Sequence, residues 1–209
     1  MKIAVIIAAG GSGKRFGAQG GKQLFAHRGK PIVFHTIDKF VGLVDQIIVV
    51  IKNEDTSKIT HAAVNTVVAS GAERYDSVRN GLAAVRPDVE YVFIHDGARP
   101  NVTKELIVRL KTALREHDAV IPVIPVTDTI KVVRNNIVVE TPKRSELFQV
   151  QTPQCFKKEV LLKAYASVNL ADCTDDAMIV ERAGVKVYTV LGDRINMKIT
   201  TPEDVRYLS

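Results

Sequence analysis

The feature that most constrains the fold is a repeated alternation along the chain. Short β-branched apolar runs at residues 3–8, 45–51, 65–69, 91–95 and 119–124 alternate with stretches at 31–40, 74–85 and 104–116 that carry apolar residues at helical spacing. Runs that are apolar at consecutive positions suit parallel strands buried on both faces. Strand, helix, strand, helix in that order predicts an α/β protein with a doubly wound, mostly parallel sheet in a Rossmann-like arrangement. Crossovers in such sheets are right-handed and ligands bind beyond the carboxyl ends of the strands, so chemistry is expected in the loops that follow the strands. With 209 residues and no internal repeat, low-complexity tract or Pro-rich linker, residues 1–209 read as one domain.

One segment leaves this pattern. Residues 129–140 form two β-rich arms around Asn135-Asn136, which is a hairpin signal. Its faces are apolar, and a two-stranded ribbon is marginal in water unless it packs on something. The expectation is a protruding β-hairpin arm at about residues 128–148 that packs against a second copy of the chain. An intramolecular flap is the alternative.

The first apolar run ends in Ala8-Ala9-Gly10-Gly11-Ser12-Gly13-Lys14-Arg15-Phe16-Gly17. Glycines there let backbone N–H groups approach phosphates without a Cβ clash, so the loop reads as a phosphate cradle. It is not a Walker A loop, because Ala8 stands at the first glycine of that spacing and Arg15 follows Lys14 where Ser or Thr belongs. Nor is it GxGxxG, since Phe16 takes the place of the third glycine, which argues against a nicotinamide-dependent oxidoreductase. Charge points the same way as the glycines. The first acidic residue is Asp38, and the six basic residues before it (Lys2, Lys14, Arg15, Lys22, Arg28, Lys30) equal the whole excess of 29 basic over 23 acidic residues. Positive charge focused beside one glycine loop suits a compact polyanion. A nucleic-acid binder more often spreads its cations along a face and interleaves aromatics, which make up only 6% of this chain. A basic nucleotide- or RNA-binding module therefore ranks behind an enzyme, and no nucleic-acid partner is expected. No apolar run approaches the roughly 20 residues of a membrane span, and the first strand runs straight into glycines with no cleavage site, so the expected location is the cytoplasm. Cys155 and Cys173 lie in no metal spacing and read as structural.

Ala8-Ala9-Gly10-Gly11-Ser12-Gly13-Lys14-Arg15 followed by Lys22-Gln23 resembles the signature of sugar-phosphate nucleotidyltransferases. His95-Asp96-Gly97-Ala98-Arg99-Pro100, Asp128-Thr129-Ile130-Lys131, Gln151-Thr152-Pro153-Gln154, Thr174-Asp175-Asp176-Ala177 and the closing Asn196-Met197-Lys198-Ile199-Thr200-Thr201-Pro202-Glu203-Asp204 narrow the resemblance to 2-C-methyl-D-erythritol 4-phosphate cytidylyltransferases across nearly the whole chain. The departures are Gly21, where the family often has proline, Ala72, where an acidic residue often follows the glycine of the base-binding loop, and an ending at Ser209 where relatives often continue with a longer helix. Ribitol-5-phosphate cytidylyltransferase is the nearest rival, because the phosphate motifs alone do not separate two C5 polyol phosphates.

What the resemblance implies is attack by a phosphate monoester oxygen on the α-phosphorus of CTP, with pyrophosphate leaving in line. Such a monoester is already largely dianionic near neutrality, its second pKa being about 6, so no general base is needed and cations carry the catalysis. Carried over residue by residue, Arg15, Lys22, Arg144 and Lys198 are the catalytic cations. The CTP site takes Ala8, Ala9, Gly10, Gly11, Gly13, Arg15, Lys22, Gly71, Ser77 and Asp96. The acceptor site takes Arg99, Thr129, Arg144, Thr152, Thr174 and Lys198 and is shared between two subunits, with Arg144 acting in trans. Asp96, directly after an apolar run, is the ligand for the expected cofactor, Mg²⁺. Beside these stand plainer readings. His95 reads as a packed strand-end residue, since imidazole suits zinc better than magnesium. Residues 73–77, including Ser77, also read as a helix start, Thr174 as a helix N-cap, and Asp175-Asp176 as the acidic first turn of a helix more than as a metal pair.

Overall fold

The structure is a computed structural model that describes residues 1–11, 13, 16 and 21–208. Its strands and helices follow the alternation. Strand β1 (Ile3–Ala8) leads through two short pairing segments, β2 (Ala26–His27) and β3 (Lys30–Pro31), into helix α1 (Ile32–Asp38). Then come β4 (Gln46–Ile51), β5 (Thr66–Ala69), α2 (Arg74–Ala83), β6 (Tyr91–Asp96), α3 (Lys104–Ala113) and β7 (Ala119–Pro125). Each lies within one to three residues of the expected boundaries, and β1 matches at both ends. The helix ends fall short of the apolar pattern because turns take over there; Glu116 N–H, for example, bonds back to the Ala113 carbonyl at 3.1 Å.

The second half holds elements that the apolar pattern does not reveal. After a hairpin of β8 (Val132–Arg134) and β9 (Ile137–Glu140) come β10 (Phe148–Val150), β11 (Gln154–Lys157), α4 (Lys158–Ser167), α5 (Asp176–Arg182) and β12 (Tyr188–Leu191). One sheet of eight strands runs β10-β7-β11-β6-β1-β4-β5, with β12 also paired to β7. The pairs β1–β4, β1–β6, β4–β5 and β7–β12 are parallel, whereas β11 is antiparallel to both β6 and β7 and β10 is antiparallel to β7. The sheet is thus mostly parallel, as expected, with an antiparallel strand inserted beside β6.

Both faces of the sheet are covered, which is why its central strands are apolar at nearly every position. In β1, β4 and β6, residues such as Val5, Ile48 and Phe93 are fully buried. Val5, Ile7 and Phe93 pack with Val33, Phe40 and Leu106 on one face; Ile6, Ile48 and Ile94 pack with Val78, Leu161 and Ile179 on the other. The hairpin differs. Asn135 and Asn136 sit at φ 49° and 62°, the left-handed pair that a tight hairpin turn requires and that asparagine tolerates. Among the described residues its strands pair only with each other, and Val133, Ile137, Val138 and Val139 are exposed. Among the described residues no helix is long and apolar enough to cross a membrane.

Candidate active site

Chain order places β4 and β5 on one side of β1 and β6 on the other, so the sheet reverses direction between β1 and β6. A doubly wound sheet binds its ligand at that reversal, beyond the carboxyl ends of the strands. A cavity of about 860 Å³ lies there. Ala8 ends β1 directly opposite Asp96 at the end of β6, and Gly97 N–H donates to the Ala8 carbonyl at 2.9 Å. Ala8, Ala9, Gly10, Gly11, Gly13, Lys22, Gly71, Ser77, Asp96 and Lys198 all line the cavity. Arg15 lies outside the described residues.

Three segments build the walls. In the glycine loop, Gly13 takes φ 61° and the Phe16 N–H bonds back to its carbonyl, while a Cβ on Gly10 would fall 2.4 Å from Ser70 Cβ. Glycine there is required by the close approach of the loop that follows β5. That second loop is folded by Ser77, which accepts from Gly71 N–H and donates to the Glu73 carbonyl, each at 3.1 Å. Ser77 is thus both a helix residue of α2 and the organiser of the loop. The third wall is the closing segment. Ile199, fully buried among Phe16, Ile32, Ala98 and Leu208, donates its N–H to the Ala98 carbonyl at 2.8 Å, and the side chain of Asn196 donates to the Thr152 carbonyl at 2.8 Å. Anchored on both sides, Lys198 reaches Asp96.

Asp96 is the electrostatic centre. Arg99 Nε and Lys198 Nζ both meet its Oδ2, at 3.0 and 3.1 Å. Burial alone would raise its carboxyl, but Lys198, Arg99 and Arg74 override that and hold it well below the usual carboxylate range. It is therefore a carboxylate at any working pH. Among the described residues no cluster of three His, Cys, Asp or Glu side chains could cage a metal. One ionised carboxylate whose two cationic partners share a single oxygen does fit Mg²⁺, which takes most of its ligands from phosphates and water.

Behind Asp96, His95 is fully buried, as expected of a packed strand-end residue. Its Nε2 faces the Arg99 carbonyl at 3.1 Å, which can only accept, so Nε2 carries the proton. Nδ1 then accepts from the Thr152 hydroxyl at 2.9 Å, and that oxygen accepts from Asp96 N–H at 3.1 Å. Thr152, expected at the acceptor, is buried in this relay and braces the Asp96 backbone. Burial lowers His95 from the ordinary 6.5 to about 4. The unfolded chain then binds a proton that the native chain refuses between those two values, so stability is complete above the upper one and falls as pH drops toward the lower one, by about 3 kcal/mol in all. Urea unfolding from pH 7 to 4.5 checks this: His95→Asn should flatten the pH dependence, and an unchanged slope would contradict it.

Of the six expected acceptor residues Lys198 alone lines the cavity; Arg99 and Thr152 are hydrogen-bonded to Asp96, and Thr129, Arg144 and Thr174 are exposed elsewhere. Thr129 and Arg144 are exposed in the arm region, where Arg144 Nη1 donates to the Thr127 carbonyl at 3.0 Å. Thr174 is exposed beside α5, and the N-cap reading given to it is corrected by one residue, because Asp175 accepts from Met178 N–H at 2.9 Å. The first-turn reading holds for Asp176, while Asp175 is the cap that precedes the turn. Lys52, Ser70, Arg74 and Thr200 line the cavity without having been singled out. Lys52 and Ser70 each follow a strand end, the one signal that could have found them.

Two glycine-containing loops and cations around a single carboxylate thus meet at the reversal of a mostly parallel sheet, an arrangement that suits the nucleotidyltransferase class of α/β proteins. The family model for 2-C-methyl-D-erythritol 4-phosphate cytidylyltransferase matches residues 3–208, and the chain belongs to that family. The enzyme of that name from Alkaliphilus metalliredigens is 42% identical over 217 residues, covering 98% of this chain and 90% of the relative. Among solved structures, 4-diphosphocytidyl-2C-methyl-D-erythritol synthase from Anaerococcus prevotii superposes with a TM-score of 0.86 at 32% identity, covering 99% of this chain and 96% of that one. The Francisella tularensis cytidylyltransferase does so at 0.85 and 33%, covering 99% and 98%.

Proposed function

We propose that this chain transfers CMP from CTP to 2-C-methyl-D-erythritol 4-phosphate, releasing pyrophosphate and forming 4-diphosphocytidyl-2-C-methyl-D-erythritol. The observation that carries the reading is the convergence of Gly10, Gly71, Lys22, Lys198 and Asp96 on one cavity at the sheet reversal. The base lies against the loop folded by Ser77, where small residues allow close approach, and the triphosphate lies over the glycine loop beside Lys22. An acceptor phosphate oxygen forms a bond to the α-phosphorus as the bond to the β-phosphate oxygen breaks, and pyrophosphate carries away the electron pair. Lys22 and Arg15 neutralise charge that grows on the α-phosphoryl oxygens, while Lys198, fixed on Asp96, and Arg144 orient the acceptor. Asp96 would hold Mg²⁺, which supplies charge withdrawal from the phosphate oxygens when bound.

The exposed apolar residues of the arm, with Phe148 and Val150 next to it, support a homodimer with exchanged arms in which Arg144 and Thr129 complete the partner's acceptor site. We place the protein in the cytoplasm. The decisive experiment is pyrophosphate release from CTP and Mg²⁺ with methylerythritol phosphate, or ribitol 5-phosphate in parallel. Release that depends on methylerythritol phosphate is expected; release with ribitol 5-phosphate alone moves the substrate assignment, and silence with both removes it. The base loop gives a sharper test. A Cβ on Gly71 would lie 2.3 Å from Asp76 Cβ and 3.0 Å from its carbonyl carbon, so Gly71→Ala must displace the loop. KM for CTP should rise about tenfold or more, with the acceptor KM near wild type.

A further inference from the structure

We propose that Arg74 contacts the bound CTP, as a further nucleotide-binding residue of this site, and that the buried pair Asp176 and Tyr165 holds it in place from behind. The proposal rests on the cytidylyltransferase reading above. Arg74 is the first residue of α2, directly after the base loop, and its side chain lines the cavity while remaining one-third exposed, at 34%. Asp176, by contrast, is completely buried at the start of α5. Its Oδ2 accepts from Arg74 Nη2 at 2.5 Å and its Oδ1 from the Tyr165 hydroxyl at 2.6 Å. The backbone behind it is fixed as well. Gln154 Oε1 accepts from the N–H groups of Asp176 and Ala177, and Gln154 Nε2 donates to Asp175 at 2.7 Å.

A guanidinium has five N–H donors, and among the described residues Asp176 is its only hydrogen-bonding partner. Donors therefore remain unspent on a side chain at the cavity wall. Its charge also acts on Asp96, after those of Lys198 and Arg99. Interior ion pairs give little net stability over apolar replacements, so neutralising Asp176 is a poor reason by itself to keep an arginine at this wall. A planar fork clamped on one side presents its remaining edge with little rotamer entropy left to lose, which suits the ribose and phosphate oxygens of a nucleotide. Tyr165 and Asp176 are positioning residues in this arrangement; Arg74 is the group that touches substrate.

The test separates contact from packing. Arg74→Ala strands a buried carboxylate and is expected to lower the melting temperature and raise the Kd for CTP, measured by calorimetry, about tenfold or more. Arg74→Ala combined with Asp176→Asn removes both charges. It should regain most of the melting temperature while its Kd stays raised and KM for CTP rises in step. Arg74→Lys keeps a counter-charge for Asp176 without the planar fork, and should melt near wild type with a Kd raised severalfold. If either of the last two variants binds CTP as tightly as wild type, the contact is overturned and Arg74 only balances Asp176. Wild type that turns over CTP in the same experiments separates that failure from failure of the cytidylyltransferase reading, under which wild type itself would bind no CTP.

Discussion

Asp96→Asn should lower kcat/KM by about 10² to 10³ in a protein that remains folded. The substitution keeps the shape of the side chain at the end of β6 and removes only its charge. Arg99 and Lys198 both rest on Asp96 Oδ2, so the amide deprives two cations of their common anchor at once. Lys198 is then free to follow solvent or the triphosphate, and the magnesium proposed for this carboxylate loses its protein ligand. The cations already hold the carboxyl well below the usual carboxylate range, so Asp96 itself should put no inflection into the pH–rate profile near neutrality. The sign for stability follows from the same depression. Its contribution is present above the ordinary carboxylate pKa and is lost only as pH falls toward the lower native value. Steady-state kinetics beside circular dichroism measures both; kcat/KM within threefold of wild type would remove Asp96 from the centre of the site.

Lys22→Ala should lower kcat by about 10² or more, with a smaller rise in KM for CTP. Lys22 opens a 3₁₀ turn, Lys22–Leu24, immediately after Gly21, whose φ of 80° lets the chain turn back under the glycine loop. From there its side chain lines the cavity, and its charge adds a small share to the Thr201 and Thr200 backbone hydrogen bonds that hold the Asp204 carboxyl below its usual range. The closing segment that carries Lys198 and the loop that carries Lys22 are thus electrostatically in reach of each other. A cation that meets charge developing on the α-phosphorus acts more on the transition state than on the bound substrate, which is why kcat should carry most of the loss. Lys22→Arg should recover part of the rate because charge matters here more than shape. Arg15→Ala is expected to behave like Lys22→Ala. An unchanged kcat with only KM altered would reassign Lys22 to ground-state binding.

Much of the fold can be read directly from the residues. Runs such as residues 3–8 and 47–51 are apolar at every position because both faces of the sheet are covered, and that pattern is local. The Asn135-Asn136 turn is equally local, since two left-handed residues in succession admit few side chains. Strands β10, β11 and β12 were not legible. Each has three or four residues, and β11 is a strand only because β6 and β7 offer facing edges more than fifty and thirty residues earlier in the chain. The glycine loop, Lys22, Gly71 and Asp96 were assigned to one site by resemblance, and the topology brings them to one cavity.

By itself, then, the sequence determined the alternation, the hairpin, the glycine-rich loop and the family, because periodicity, turn chemistry and motif spacing are properties of neighbouring residues. Only the tertiary structure decided that Lys198 and Arg99 share one oxygen of Asp96, that Thr152 spends its hydroxyl between His95 and the Asp96 backbone, and that Arg74 meets Asp176 across 102 positions. Those contacts join residues that no local pattern relates, and their strength comes from burial, which exists only once the sheet and its covering helices have closed around them.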